Sequence, residues 1–343
     1  MNQLILVTGG TGYIGSHTAV ELIQKGFEVV IIDNLANSKI EVLNKIEQIT
    51  GTRPIFENFD LCDTAALNQF FRKYPRLSAI IHFAAYKAVG ESVEKPLKYY
   101  ENNILSVINL LKGMIEFKVP NIVFSSSCTV YGQPDHLPPN ENSPVKKALS
   151  PYGNTKQIDE EILEDCLKVT PNLHCIALRY FNPIGAHPSG LIGELPLGIP
   201  ANLVPFITQT AAGLRKELSI FGNDYDTPDG TAVRDYINVV DLSKAHVIAI
   251  ERLLNDKQKR NFEIFNLGTG KGNSVLELIH EFETATGQKV NYRIVPRRSG
   301  DIEKVWADTK LANEELGWKA ETSLAETLRS AWNWETKYRA EKK

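Results

Sequence analysis

Two rhythms of apolar and polar positions alternate along the first half of this chain. Residues 4–8, 28–32, 54–59, 79–83, 121–125 and 174–179 are short, mostly apolar, β-rich runs, which predicts strands. Between them apolar residues recur at helical spacing near 16–25, 40–50, 65–73, 97–117 and 155–168. Strands with no polar face must be covered on both sides. The expected architecture is therefore α/β, a Rossmann-type doubly wound parallel sheet clad in helices. From Ile104 onward the fourth of these helices is apolar around most of its circumference, which buries it in the molecule or against a partner.

After Arg179 the texture changes. Residues 183–205 are dense in Gly and Pro and read as irregular loop, and 222–235 form a second polar loop. A strand-then-helix pattern returns over 235–254, and 262–267 adds a strand. We expect a first domain from 1–180 with about 235–262. A smaller α/β C-terminal domain then comprises 181–234 and 263–343, and the helix near 241–254 packs back on the first.

At 343 residues and 43% hydrophobic content the chain has ample material for a sizeable core. A net charge of −3 provides no basic field for phosphate backbones, so no nucleic-acid partner is expected. No uncharged apolar run approaches the roughly 18 residues of a membrane span, and the first residues lack the basic region of a signal peptide. The four cysteines, Cys62, Cys128, Cys166 and Cys175, show neither metal-ligand spacing nor disulfide-scaffold density, and read as reduced thiols of a cytoplasmic protein. His17, His82 and His187 have no second ligand at helical or loop spacing, so they read as structural and no metal is expected.

Candidate chemistry sits at three places. Gly9, Gly12 and Gly15 fall between a strand and a helix start, where glycines let the backbone approach a pyrophosphate and the helix N-terminus stabilises it. Asp33 ends the next strand, placed to take ribose hydroxyls and to repel a 2′-phosphate, which favours NAD over NADP. Tyr152 and Lys156, four apart, share one helix face. There the ammonium is expected to hold the phenol below its free pKa of about 10, making it a usable base. The hydroxyl-rich run at 125–129 can deliver a serine to the same substrate oxygen. Farther on, Arg234 and Arg298 suit a diphosphate, which guanidinium forks grip bidentately. Asn182 follows a strand and precedes Pro183, where a side chain faces a ligand crevice.

These residues lie in longer strings: TGGTGYIGSH at 8–17, DNLANS at 33–38, HFAAYKAVGESV at 82–93, SSSCTVYG at 125–132, SPYGNTK at 150–156, RYFNPIGAHPSG at 179–190, FGNDY at 221–225, GTAVRDYINV at 230–239 and WAD at 306–308. In this order the strings resemble the extended short-chain dehydrogenase/reductases, and among them the UDP-glucose 4-epimerase family, essentially end to end. The resemblance implies interconversion of UDP-glucose and UDP-galactose by transient oxidation to a 4-keto sugar, with NAD held throughout. It makes the first domain NAD-binding and the second UDP-sugar-binding. The NAD site it implies comprises, beside the three glycines, Tyr13, Ile14, Asp33, Asn34, Leu35, Ala36, Asn37, Ser38, Asp60, Leu61, Phe83, Ala84, Ala85, Tyr86, Lys87, Asn102 and Phe181. Ser127, Tyr152 and Lys156 correspond to the catalytic triad, which also touches the cofactor. Asn182, Asn202, Leu203, Phe221, Arg234, Arg298 and Asp301, with Lys87, Ser127 and Tyr152, correspond to the UDP-sugar site. Relatives pair two helices across a two-fold axis, which implies a homodimer.

The departures are Cys128 for a small residue, Ala85-Tyr86 for a more usual glycine and leucine, and Ile104-Leu105-Ser106 after Asn103. Val305 stands where epimerases confined to plain hexoses carry a tyrosine, and the freed volume implies that UDP-GlcNAc and UDP-GalNAc are accepted too. Two rival readings remain. Related nucleotide-sugar dehydratases carry an Asp-Glu pair beside the catalytic Thr or Ser, whereas Cys128-Thr129 follow Ser127 here. Non-catalytic NAD sensors on the fold lose the Tyr or the Lys, and this chain has both.

Overall fold

The computed structural model describes residues 3–297 and 302–342. Strands β1 (Leu4–Thr8), β2 (Glu28–Ile32), β3 (Ile55–Glu57), β4 (Leu77–His82), β5 (Asn121–Ser127) and β6 (His174–Tyr180) join Phe262–Leu267 in one parallel seven-stranded sheet. Its order is β3, β2, β1, β4, β5, β6 and then Phe262–Leu267. The direction of winding reverses between β1 and β4, which opens a crevice at the strands' carboxyl ends. The helices are α1 (Tyr13–Gln24), α2 (Val42–Thr50), α3 (Thr64–Lys73), α4 (Val89–Glu94), α5 (Pro96–Phe117), α6 (Pro151–Val169), α7 (Leu203–Ala211), α8 (Val239–Leu254), α9 (Val275–Thr286) and α10 (Leu324–Ala340).

The apolar strands explain the two-sided cladding. Ile5 and Val7 pack with Val20 of α1 and Leu242 and Ile250 of α8. Leu4 and Leu6, pointing the other way as alternate strand residues must, pack with Phe71 of α3, Leu110 of α5 and Leu163 of α6. A third cluster joins Ile207 of α7, Phe282 of α9 and Leu328 of α10. The expected strands are present with shifted ends, and α8 packs against α1 as expected.

Three features depart from expectation. Helices α4, α7, α9 and α10 were not anticipated. The stretches read as loop contain short strands: Asn182–Ile184 pairs with Tyr236–Asn238, and Val233–Arg234 pairs with Asn273–Ser274 and Lys304–Val305. Helix α6 begins at Pro151 because Ser150 caps it, its hydroxyl accepting from Gly153 N at 3.1 Å, with proline at the first position. That puts Tyr152 in the first turn.

Two buried carboxylates organise the later part of the chain. Asp235 accepts from Thr269 N at 2.8 Å, Thr269 Oγ1 at 2.7 Å, and Gly270 N and Ala307 N at 3.1 Å each. Asp241 accepts from Glu321 N at 3.0 Å and Thr322 N at 2.8 Å, while its carbonyl takes the Trp318 indole N–H at 2.9 Å. Among the described residues no helix is long and apolar enough to cross a membrane.

Candidate active site

A cleft of about 980 Å³ runs across the carboxyl ends of the strands. One wall is the glycine turn. Gly9 has φ +69°, and a Cβ there would sit 2.9 Å from Ala84 N; a Cβ on Gly15 would sit 2.3 Å from the Gly9 carbonyl oxygen. Residues 12–16 of this turn line the cleft, and no side chain caps α1, so its first N–H groups are left to a ligand. Asp33 lines the same wall, accepting from Thr11 N at 3.2 Å, Leu35 N at 2.9 Å and Ser38 Oγ at 3.1 Å. The backbone approach that only glycine permits, with a carboxylate a strand away, fits a dinucleotide.

Asn34, Ala36, Asn37, Ser38, Asp60, Leu61, Phe83, Ala84, Ala85, Tyr86, Lys87, Asn102 and Phe181 also line the cleft, together with Tyr13 and Ile14. Leu35 does not. Asn103 shapes the next wall, exchanging hydrogen bonds with the Tyr86 backbone at 2.9 and 3.0 Å and donating to Thr155 Oγ1 at 3.1 Å.

Ser127, Tyr152 and Lys156 all line the cleft. Ser127 comes from the tip of β5, close enough to the Tyr152 phenol for its hydroxyl to pull that phenol's pKa down. Lys156 is buried, donates from Nζ to the Ser125 carbonyl at 2.8 Å, and lies 4.5 Å from the centre of the Phe124 ring. This corrects the expected tuning. Burial pushes the Tyr152 phenol up to about 12, and the opposing pull comes from Ser127 rather than from Lys156. The shared helix face is real, but the ammonium spends its nearest contact on a strand carbonyl.

On the substrate side Asn182 and Asn202 line the cleft. Lys87 Nζ lies 3.2 Å from Glu194, which also accepts from Asn202 at 2.5 Å. Leu203, Phe221, Arg234 and Val305 do not line it. Leu203 packs into the α7–α9–α10 cluster. Phe221 pairs with Val295 at a strand edge. Arg234 donates to the Val233 carbonyl at 2.8 Å and lies near enough to Cys128 to oppose the burial that raises its thiol to about 12. Val305 is buried with Phe181 and Ala307, and Cys128, a cleft residue, packs against them. Arg298 and Asp301 lie outside the described residues.

The histidines are accounted for by packing. Burial holds His17 and His82 at about 3, with Nδ1 of His17 at 2.7 Å from the Tyr13 carbonyl and that of His82 at 2.8 Å from Thr8 Oγ1. Glu194 and the rim formed by Trp334, Tyr338 and Glu341 escaped sequence reasoning. Glu194 stands in a Gly/Pro-rich loop without periodicity, and the rim comes from a helix far along the chain.

Residues 6–331 match the family described as GDP-mannose 4,6 dehydratase. A UDP-glucose 4-epimerase of Dictyostelium discoideum is 50% identical over 336 residues, spanning 98% of this chain and 96% of its own. Two solved structures superpose closely. The UDP-glucose 4-epimerase of Bifidobacterium longum, in complex with NAD+ and UDP, has a TM-score of 0.94 at 48% identity, covering 98% of this chain and 99% of that one. The enzyme of Stenotrophomonas maltophila, with bound NAD and formylated UDP-arabinopyranose, has a TM-score of 0.95 at 49% identity, covering 99% of each.

Proposed function

The chain belongs to the UDP-glucose 4-epimerases, NAD-dependent isomerases of nucleotide sugars, and we propose that Tyr152 is the acid/base of this reaction, with Ser127 and Lys156 as its partners. The observation that carries the assignment is that these three side chains line the same cleft as the glycine turn and Asp33. Tyr152 takes the proton of the sugar O4 and Ser127 steadies the same oxygen. NAD, which the glycine turn and Asp33 would hold, would supply the hydride chemistry at C4, so that the redox change cancels within a cycle. Asn182, Asn202 and Lys87 of the cleft lining grip the UDP, with Arg234, beyond that lining near Cys128, and Arg298 assigned to its diphosphate by resemblance alone, leaving the hexose free to present either face. Glu194, which engages both Lys87 and Asn202, exchanges these contacts for the substrate's.

The rival dehydratase chemistry lacks its acid, because Cys128 and Thr129 follow Ser127. A sensor role leaves Tyr152 and Lys156 without a purpose. The assignment is tested by Tyr152→Phe, which keeps the ring but not the proton acceptor. Turnover of UDP-galactose falls about 10²-fold or more, while mass spectrometry of the denatured variant still finds NAD(H). Near-normal turnover overturns it.

Residues 1–180 with about 235–262 serve NAD in this proposal, and 181–234 with 263–343 serve the UDP-sugar. We place the enzyme in the cytoplasm, a reading supported by four cysteines of which none pairs. A homodimer is supported by apolar residues left in the open on α4 and α5: Val93 is 62% exposed, Leu97 80% and Ile115 47%. Light scattering at micromolar concentration distinguishes dimer from monomer.

A further inference from the structure

One buried acid beside the catalytic residues has no part in the chemistry described so far. Asp159 lies on α6 one turn beyond Lys156 and two turns beyond Tyr152, so the three share a side of the helix. It is 1% exposed, and neither carboxylate oxygen has a hydrogen-bond partner. Its neighbour Glu160 differs. Arg179 donates to both oxygens of Glu160, at 2.9 and 2.5 Å, and Ser126 donates to one of them. That pair is neutral by itself, although the Glu160 carboxylate still acts on both Asp159 and Lys156.

The charges acting on Asp159 are those of Lys156 and Glu160 on its own helix, and its own charge reaches Tyr152; behind these, Arg179 and Cys175 on β6 adjoin Glu160, His82 on β4 adjoins Lys156, and Tyr99 on α5 adjoins Tyr152. Arg179 is committed to Glu160. Burial keeps His82 neutral and keeps Cys175 and Tyr99 protonated. Among these groups Lys156 is the cation that answers Asp159. A carboxylate buried with neither cation nor hydrogen bonds would simply remain an acid. Here burial raises the Asp159 carboxyl to about 7 while Lys156 pulls it back, so it ionises near neutrality. Its charge opposes the burial that drives Lys156 toward the neutral amine, and it raises the Tyr152 phenol.

We propose that Asp159 is a positioning residue for the epimerisation, its carboxylate the unpartnered counter-charge that favours the Lys156 ammonium beside the Tyr152 phenol. The proposal rests on the assignment of Tyr152 and Lys156 made above. Asp159 touches neither substrate nor cofactor and acts through the two residues that precede it on α6.

Asp159→Asn keeps the shape and deletes the charge. Losing a nearby anion makes both Lys156 and Tyr152 stronger acids. The pH profile of kcat/KM for UDP-galactose therefore moves to lower pH by about one unit, the size of shift a unit charge roughly 10 Å away, the two-turn rise from Tyr152 to Asp159, produces at an effective dielectric of roughly 20. Asp159→Glu returns the profile toward that of the wild type. A purely structural role would lower stability without moving either limb. A superimposable profile, with Tyr152→Phe inactive, overturns the role of Asp159 and leaves the catalytic assignment standing. An active Tyr152→Phe removes the assignment itself. Should Asp159→Asn fail to fold, carbon-13 NMR of aspartate-labelled wild-type enzyme carries the test. One carboxyl titrating near neutrality is the expected result, and aspartates that all titrate in the ordinary acidic range overturn the proposal.

Discussion

The seven-stranded sheet and the loops that follow Tyr180 are held together in opposite ways. In the sheet, cohesion is apolar and repetitive, since each strand sends alternate side chains into one of two clusters. In the later loops, beside the apolar cluster that joins α7, α9 and α10, it is polar and singular. Asp235 gathers backbone N–H groups from two loops, and Asp241 gathers two more with an indole on its carbonyl. The division matches what each part handles in the proposed reaction. A dinucleotide that never leaves suits a stiff, over-determined wall, whereas a sugar that must present both faces suits a wall tied at few points.

The sharpest challenge to this contrast lies inside the sheet, at its own buried ion pair. Arg179→Met leaves the Glu160 carboxylate buried without its guanidinium, which costs about 3–5 kcal/mol. Urea unfolding of the purified variant measures the loss. A change under 1 kcal/mol would mean that apolar packing alone holds β6 to α6. Next in size is Asp235→Ala, which strands the backbone donors of Thr269, Gly270 and Ala307 and costs about 3 kcal/mol. Limited proteolysis then cuts within 222–310 before it reaches the sheet, and uniform cleavage would erase the distinction between the regions. The smallest effect sharpens the sugar side. We expect the wild-type enzyme to interconvert UDP-GlcNAc and UDP-GalNAc, and Val305→Tyr to suppress this by about 1–3 kcal/mol of overpacking while sparing UDP-galactose. Comparing kcat/KM for both sugar pairs decides the matter, and absence of any UDP-GalNAc turnover by the wild type ends the idea.

The same contrast governs what could be read from the chain beforehand. Strands, the glycine turn and the Tyr152–Lys156 spacing are local patterns, complete within a few residues, and all are present where expected. The work of Asp235 is invisible locally because its partners lie 34 to 72 residues away. For Asp241 the separation is 80 and 81 residues. Spacing also placed the Lys156 ammonium on the right helix face without revealing that Ser125 takes its proton donor, so the phenol was expected too low. Asp159 was open to detection as a charge seven residues after Tyr152, on a helix side that otherwise turns inward. Val305 reached by resemblance lies behind Phe181 and Cys128 rather than in the cleft wall, a distinction that volume arguments from sequence do not resolve.

Helix α10 carries a consequence for how the enzyme is made. Trp334, Tyr338, Glu341 and Lys342 form part of the cleft rim, and Glu341 reaches back across it to Lys45 of α2 at 2.9 Å. The glycine turn, another wall of the same cleft, precedes α10 in the chain. Synthesis and folding run from the amino end, so the wall that faces a dinucleotide is made before the helix that completes the rim, and the cleft is whole only once α10 has been synthesised.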